Sequence, residues 1–573
     1  MLAKPSSCQG CPLERAGGIG WSNPTGPLSS NLFIVGEALG EEEVKTGTQF
    51  VGAAGNLLNR LLYRLGVDRA ELVTDNILRC RPPMNKLVGA PYELGAIAHC
   101  KPNLVGSLRD WLNTGSGEKI VIALGSTATR SLLSLTKKGY RHENWHGSII
   151  PAIYGGLPIK VMPTFHPSHL LQGNSKLTGA VLHDLRKAIE ASRGEATQDE
   201  TILTVDPALD WFTDWAQVYM DSPESWLAVD IETADTGGNI DEEELTDAYS
   251  TILRINLAYN KDHGVTVPWR EPYIPIVTQM LQANKVQCYW NARFDVPRLT
   301  IAGVEPKGKI LDFMWGWHML QSDMPMGLGF VAPFYSSYGP WKHLSHQDPG
   351  KYAAIDAVQT LRCAFGITKD LEAAGQWEVF GRHIYKLDTL VLHPAEKIGM
   401  LCDKQKLADY KVELQDKMKE VTEKLQILAP ESVCPLSPKG GWKRLPSPEP
   451  PGLLKIKERA LVKVCLGCET VGITAKHSAC AAPQVVTEER EVLRFYIREA
   501  FNPGSTKQIL SYLQLNKQAA GRSKHTVGPS VDRKVLETLW KKTKDGFYKH
   551  LIEYRDLDKL LNTYVMGVEK RLG

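Results

Sequence analysis

Asp230 and Glu232 stand two residues apart in Trp226-Leu-Ala-Val-Asp230-Ile-Glu232-Thr233, an apolar run that reads as a strand. Strand periodicity puts both carboxylates on one face. Paired acids in a half-buried strand are costly unless a cation neutralises them, and hard oxygen ligands select Mg2+ or Mn2+. The plain alternative is a strand-end Asp beside a solvated Glu. Two later segments add carboxylates. Tyr289-Trp-Asn291-Ala-Arg-Phe-Asp295 follows a strand-like stretch over 286–290, and Lys351-Tyr352-Ala-Ala-Ile-Asp356 reads as a helix on which Tyr352 and Asp356 share a face.

Thiols form two further sets. Cys8-Gln-Gly-Cys11, Cys80 and Cys100 lie in the N-terminal part. In a reducing compartment four such thiolates hold a metal or cluster more often than disulfides, and they satisfy an iron–sulfur cube. Farther on, Cys465-Leu-Gly-Cys468 is followed by His477 and Cys480. These are four soft ligands, the number a closed tetrahedral Zn2+ site needs, and in so short a module the metal would supply the folding energy. Unpaired thiols and a surface His are the alternative. Cys288, Cys363, Cys402 and Cys434 have no partner motif and read as buried or incidental.

The elements that must hold these groups follow from the pattern. The apolar run Leu32 to Val35 ends in the glycine-rich acidic turn Gly36-Glu-Ala-Leu-Gly-Glu-Glu-Glu43, a strand-end loop of the kind where α/β proteins do chemistry. A helix-like segment, Val181 to Gly194, and an acidic linker over 195–200 separate this part from the strand bearing Asp230. From Leu387 onward, His393-Pro-Ala-Glu396-Lys-Ile-Gly399 and Asp403 lead into a charged amphipathic helix reaching about Ile427, and Pro446 to Pro451 is proline-rich. A chain of 573 residues has room for three or four domains. Its 67 basic and 64 acidic side chains leave +3, so nucleic-acid binding must come from local patches. Neither a membrane-length apolar run nor a secretory leader is visible, which implies a soluble cytoplasmic protein.

Six ordered motifs carry a first resemblance: Gly36-Glu37-Ala38, Gly47-Thr-Gln-Phe50-Val-Gly52, Thr74-Asp-Asn76, Cys80-Arg-Pro-Pro83, Leu124-Gly125-Ser-Thr-Ala128 and Thr164-Phe-His166-Pro167-Ser168. Together they resemble the iron–sulfur uracil-DNA glycosylases over roughly the first third of the chain. The resemblance implies a three-layer α/β/α domain over 1–195 with a 4Fe-4S cluster on Cys8, Cys11, Cys80 and Cys100. It also implies a base-flipping hydrolase. Glu37 would position or activate water, with Ala38 where other glycosylase classes carry an acid. Phe50 would stack on the flipped base, Asn76 would read the uracil edge, and His166 would donate to the oxygen that gains charge as uracil departs. Glu43 would support them. Taken singly, Phe50 reads equally as core, Asn76 as a turn cap and His166 as a surface imidazole. Leu39 replaces the family's usual proline, and Gln172 replaces an arginine after the His-Pro-Ser start, removing a phosphate contact. A uracil sensor of reduced turnover is the corresponding alternative.

The three acidic segments, in their order and spacing, look like a DnaQ-type, RNase H-like 3′–5′ exonuclease over 200–385. That likeness implies Asp230, Glu232, Asp295 and Asp356 as ligands of two Mg2+ or Mn2+ ions, Tyr352 as the group orienting the attacking water, Asn291 beside the substrate and Asp312 one layer behind. Leu320 to Pro340 is expected to form a loop over the 3′ end, its aromatics stacking on unpaired bases.

The third region, 386–573, resembles the mainly helical thumb of family A DNA polymerases, carried by His393 to Asp403, Phe501-Asn-Pro-Gly504-Ser-Thr-Lys507-Gln508, Ser530-Val-Asp532 and Tyr554-Arg555 through Tyr564. It implies Lys507, Gln508, Arg555 and Lys559 near the duplex backbone; within it the Cys465, Cys468, His477 and Cys480 set reads as a small zinc insertion at about 452–485. For each basic residue a solvated helix face is the alternative. In that family palm and fingers follow, so the expectation is no polymerase activity from this chain alone and a separate palm and fingers subunit bound partly through Leu557, Leu560, Leu561 and Val565. The alternatives are a truncated form of a full polymerase and a non-catalytic, DNA-clamping, uracil-sensing subunit. The architecture is similar to polymerases of large DNA phages, which would place it in the host cytoplasm. The expected α/β multidomain protein thus acts in DNA replication and proofreading on primer-template and single-stranded 3′ ends.

Overall fold

A computed structural model describes residues 4–195, 199–234, 251–429, 431–435, 453–465, 485–518, 521–522 and 529–572. The chain divides into two compact units, Met1–Gly399 and Met400–Gly573. No helix among the described residues is long and apolar enough to cross a membrane.

The first unit contains two sheets. β1 (Leu32–Ala38), β2 (Val73–Leu78), β3 (Ile120–Leu124), β4 (Ile150–Tyr154) and β5 (Leu157–Thr164) are ordered β2-β1-β3-β5-β4. All neighbours are parallel except β4 with β5. Phe33, Ile34, Val35 and the whole of β3 are buried, as expected where helices cover both faces of a parallel sheet. The helices Ala53–Arg64, Glu93–Leu112, Gly125–Leu132 and Thr178–Ser192 supply that cover. Every strand that feeds the candidate chemistry ends at the same edge, because β1, β2, β3 and β5 run in one direction.

The second sheet is mixed: β6 (Ile202–Val205), β7 (Leu227–Thr233), β8 (Ile252–Asn260), β9 (His263–Pro268), β10 (Val286–Tyr289) and β11 (Lys309–Asp312) are ordered β11-β10-β7-β8-β9-β6. β7, β8 and β9 are antiparallel neighbours, while β10 and β11 run parallel to β7. The long helix Pro349–Ala373 packs across this sheet, burying Ile355, Val358, Leu361 and Ile367.

Residues 324–343 differ from the loop expected over a 3′ end. Phe330, Val331, Ala332 and Trp341 are buried, and the segment spans both sheets' modules. His146 Nε2 donates to the Phe330 carbonyl at 3.0 Å, His183 Nε2 to that of Pro333 at 3.1 Å, and Lys187 Nζ to Pro333 and Ser336 at 3.0 and 3.1 Å. Trp145 stacks on His343 with centroids 5.2 Å apart. The aromatic content that suggested base stacking instead fills a core between modules.

The second unit joins helices to a long antiparallel sheet. The helix Lys404–Leu428 buries Val421 and Leu425 with Phe501, Ile509, Leu513, Leu536, Phe547 and Leu551 from the helical segments that follow. β12 (Glu431–Pro435), β13 (Leu453–Cys465) and β14 (Val485–Ala500) form the sheet β12-β14-β13, so this unit is less purely helical than expected. Leu561 and Val565 are 7% and 4% exposed and pack with Leu414, which removes them from a partner-binding surface. A helix-face pattern alone cannot distinguish an intramolecular seam from an intermolecular one.

Candidate active sites

Gly36 lies near the end of β1, opposite Asn76 of β2. A Cβ at Gly36 would lie 2.4 Å from Asn76 Oδ1 and 2.9 Å from Phe50 Cζ. The missing side chain therefore lets Asn76 and Phe50 converge on the strand end. Asn76 is 4% exposed, and its carboxamide bonds to none of the described residues, leaving a donor and an acceptor side by side. Phe50 adopts φ 54°, an uncommon conformation for a non-glycine residue and one that clusters at binding sites. Glu43 holds its loop from outside the pocket: Oε1 accepts the Gly52 N–H at 3.0 Å.

Glu37, the next residue of β1, accepts a 2.6 Å hydrogen bond from Thr127 Oγ1 on Oε2, and burial pushes its carboxyl pKa up. Ala38 ends the strand, half-buried. His166 precedes the short helix Pro167–Leu171, its Nδ1 accepting the Ser168 N–H at 3.1 Å. Burial, with His169 nearby, pulls the His166 pKa down to about 4. The ring is thus neutral at physiological pH with its proton on Nε2. Gly125 (φ 83°) lets the helix Gly125–Leu132 start against His166, since a Cβ there would stand 2.9 Å from His166 Cβ. That helix start thereby links Glu37, through Thr127, to His166. The site holds a carboxylate, an amide edge, an aromatic face and an imidazole N–H donor.

Cys11, Cys80 and Cys100 are buried, Cys8 is partly exposed, and none is in a disulfide. Burial and then the neighbouring Cys100 and Cys11 raise the Cys8 thiol pKa; burial and then Cys100 push Cys80 up to about 12. Cys11, Cys80 and Cys100 lie in one apolar cluster with Cys8 nearby, an all-sulfur donor set of the type iron–sulfur clusters use.

On β7, Asp230 and Glu232 face the helix Pro349–Ala373. Among the described residues, Asp230, Glu232 and Asp356 form a group in which one carboxylate oxygen from each lies within 4.8 Å of the others. Burial and then Asp356 push Asp230 up to about 7, while burial, Asp230 and Asp356 push Glu232 up to about 8. Such crowding of acids favours cation binding. Asn256 Nδ2 fixes Asp230 Oδ2 at 2.7 Å. Asp295 stands outside this group: its Oδ1 accepts the Ile231 N–H at 3.0 Å, placing it behind the strand beside Asp230. Tyr352 lies one turn before Asp356, and that carboxylate, then burial, raise its pKa. Asp312 accepts N–H bonds from Asn291 and Met314 on Oδ1 (3.0 and 3.1 Å) and from Ala292 on Oδ2 (2.9 Å). It caps two helices at once. Asn291, at φ 74°, begins one of them.

Lys342 was not anticipated. Its Nζ donates to Asp356 Oδ1 and Oδ2 at 3.0 and 2.8 Å and to Tyr352 OH at 3.2 Å. Thr127, inside a motif already singled out, also had no assigned role.

Of the four residues expected near a duplex backbone, two bond within their own unit. Gln508 is 4% exposed, with Oε1 accepting the Asn502 N–H at 2.5 Å, and Arg555 Nη1 donates to the Val531 carbonyl at 2.5 Å. Gln508 is thus turned inward by its helix, while Arg555 is half-buried and bonds within its own unit through Nη1. Lys507 and Lys559 are exposed. Cys465 ends β13, opposite Val485, while Cys468, His477 and Cys480 of the expected zinc set lie outside the described residues.

Residues 24–190 match the family described as the uracil DNA glycosylase superfamily. Over 190 residues the chain is 35% identical to the type-4 uracil-DNA glycosylase of Thermotoga maritima, covering 32% of this chain and 87% of that protein. It is 29% identical over 170 residues to the type-4 enzyme of Pyrobaculum aerophilum, covering 29% and 80% respectively. A solved structure, the POL domain of Pol1 from M. smegmatis in complex with DNA primer-template and dNTP, aligns with a TM-score of 0.41 at 14% identity, over 63% of this chain and 49% of that one. A likeness of that size carries no argument.

Proposed function

Since the chain belongs, through its N-terminal third, to the uracil-DNA glycosylase superfamily, we propose that this part excises uracil flipped out of DNA. The observation that carries the reading is the neutral His166, whose Nδ1 is occupied by Ser168 and whose Nε2–H is left to donate. Uracil would enter between Phe50 and Asn76. As the bond from C1′ to N1 breaks, its electron pair moves onto the base, and His166 Nε2–H would stabilise the oxygen that gains charge. Glu37, oriented by Thr127, would align the water that completes the sugar. Cys8, Cys11, Cys80 and Cys100 would hold a 4Fe-4S cluster as a structural clamp. The test is release of uracil from a single-stranded, uracil-containing oligonucleotide, read as an alkali-labile site. An intact strand would leave uracil sensing as the activity.

For the second sheet we propose metal-dependent 3′–5′ exonuclease chemistry. The three carboxylates within 4.8 Å carry this reading, supported by a sheet of antiparallel β7–β9 flanked by parallel β10 and β11. Asp230, Glu232 and Asp356 would hold Mg2+ or Mn2+, with Asp295 offering its second oxygen from behind. Bound divalent ions activate water and stabilise the leaving 3′ oxygen. Tyr352 would orient the water through its hydroxyl. Mg2+-dependent shortening of a 3′-labelled or 5′-labelled oligonucleotide from its 3′ end tests it. On motif grounds we assign the second unit a duplex-contacting role; fluorescence anisotropy of the full chain with a primer-template duplex tests that.

A further inference from the structure

Lys342 does not resemble a solvated lysine. Its side chain is 23% exposed and that of its partner Asp356 6%. The ammonium lies 5.5 Å from the Trp341 ring centroid and 4.9 Å from that of Tyr352, an aromatic slot suited to a cation. Its three N–H donors match three acceptors: Tyr352 OH and both Asp356 oxygens. The stem is positioned as well. A Cβ at Gly329 would lie 3.0 Å from Lys342 Cγ and 2.6 Å from Asn144 Oδ1, so the glycine leaves room for the lysine stem between two modules. Trp341, 3% exposed, donates its indole N–H to the same Asp356. Packing, aromatic walls and hydrogen bonds all direct one positive charge at a cluster of three carboxylates.

We propose that Lys342 is the resident counter-cation of this cluster, occupying the cation position beside Asp356 and Tyr352, so that a divalent ion must displace the ammonium to engage Asp356 fully. This rests on the exonuclease reading, and it assigns Lys342 a positioning role toward the metal. The lysine offsets one of the cluster's negative charges at rest and raises the divalent-ion concentration at which the site fills. Its departure also releases the Tyr352 hydroxyl from its bond to Nζ. Metal loading and the freeing of Tyr352 are then one event.

The experiment is Mn2+ binding to the full chain, followed by electron paramagnetic resonance and calorimetry. It compares wild type, Lys342→Met, Lys342→Arg and Asp230→Ala, with thermal unfolding as a check on folding. Lys342→Met should bind Mn2+ roughly tenfold or more tightly, as removal of a nearby positive charge predicts, while Lys342→Arg should stay near wild type. If binding disappears with Asp230→Ala yet is unchanged or weaker in Lys342→Met, the counter-cation assignment is overturned and the metal site stands. If Mn2+ binding is the same in wild type and Asp230→Ala, the metal site itself fails and the assignment falls with it. Should Lys342→Met unfold, Lys342→Gln, which keeps a hydrogen-bond donor without the charge, decides by the same comparison.

Discussion

Ser168 gives its backbone N–H to His166 Nδ1 at 3.1 Å, and that bond decides which ring nitrogen carries the proton. With the His166 pKa near 4, the imidazole offers an Nε2–H donor across the neutral range. Single-turnover uracil release should therefore show no inflection from this group between about pH 5.5 and 8. His166→Ala should slow release about a hundredfold, and His166→Asn, which keeps an N–H donor, by less. An inflection near 6.5 that vanishes in His166→Asn would refute the neutral tautomer.

His142 provides a stability counterpart. Its Nε2 donates to the Thr164 carbonyl at 2.9 Å and its Nδ1 receives Tyr140 OH at 2.6 Å; burial lowers its pKa from 6.5 to about 4. Between those values the unfolded chain binds a proton that the native one excludes, so stability falls as pH drops from 6.5 and the loss is complete below 4. The loss is on the order of 3 kcal/mol for this group. His142→Gln should flatten the acid limb of a urea-midpoint versus pH plot by about one proton; an unchanged slope would count against the burial argument.

Replacing Asp230 and Glu232 together by alanine should reduce Mg2+-dependent 3′ digestion by at least about a hundredfold, since even outer-shell changes at metal sites cost up to that much. DNA binding, measured by fluorescence anisotropy in EDTA, should change little. Persistent digestion by the double variant would reassign the nuclease centre.

Asp312→Asn should act on folding rather than chemistry. The carboxylate accepts three backbone N–H bonds, and an amide would turn a donor toward at least one of them. The expected cost is about 1–3 kcal/mol, read as a lower melting temperature, with 3′ digestion at saturating metal within about tenfold of wild type. Full loss of digestion in a folded variant would place Asp312 in the chemistry.

Gly36→Ala tests the uracil pocket without replacing any polar side chain. Its Cβ would meet Asn76 Oδ1 at 2.4 Å and Phe50 Cζ at 2.9 Å, so one of the two must move. Uracil release should fall by roughly tenfold or more, because misplacing positioning groups by an ångström costs up to about a hundredfold, while iron content stays the same. Wild-type turnover in this variant would show that Asn76 and Phe50 do not form the pocket.

The first site was legible through the order of its motifs and the family resemblance they carry, since Phe50, Asn76 and His166 taken singly read as core, cap and surface residues. A strand ending in Gly-Glu and a His-Pro-Ser helix start place Glu37, Asn76 and His166 at one sheet edge because the strands run parallel. The two-residue spacing likewise put Asp230 and Glu232 on one face, with Asp356 reached from a helix. Lys342 was illegible for the opposite reason: its role depends on an irregular segment whose path is set by contacts with His146, His183 and Lys187, far away in sequence. The inward turn of Gln508 was illegible because residue type alone does not reveal which helix face is buried.

Residues 324–343 also bear on how the molecule can be divided. Cutting at the acidic linker would strip His146 and His183 of their carbonyl partners and leave Phe330 and Phe334 without cover. The two halves of the first unit are thus poor candidates for separate expression, and a chimera exchanging one half must carry a matching surface for the other.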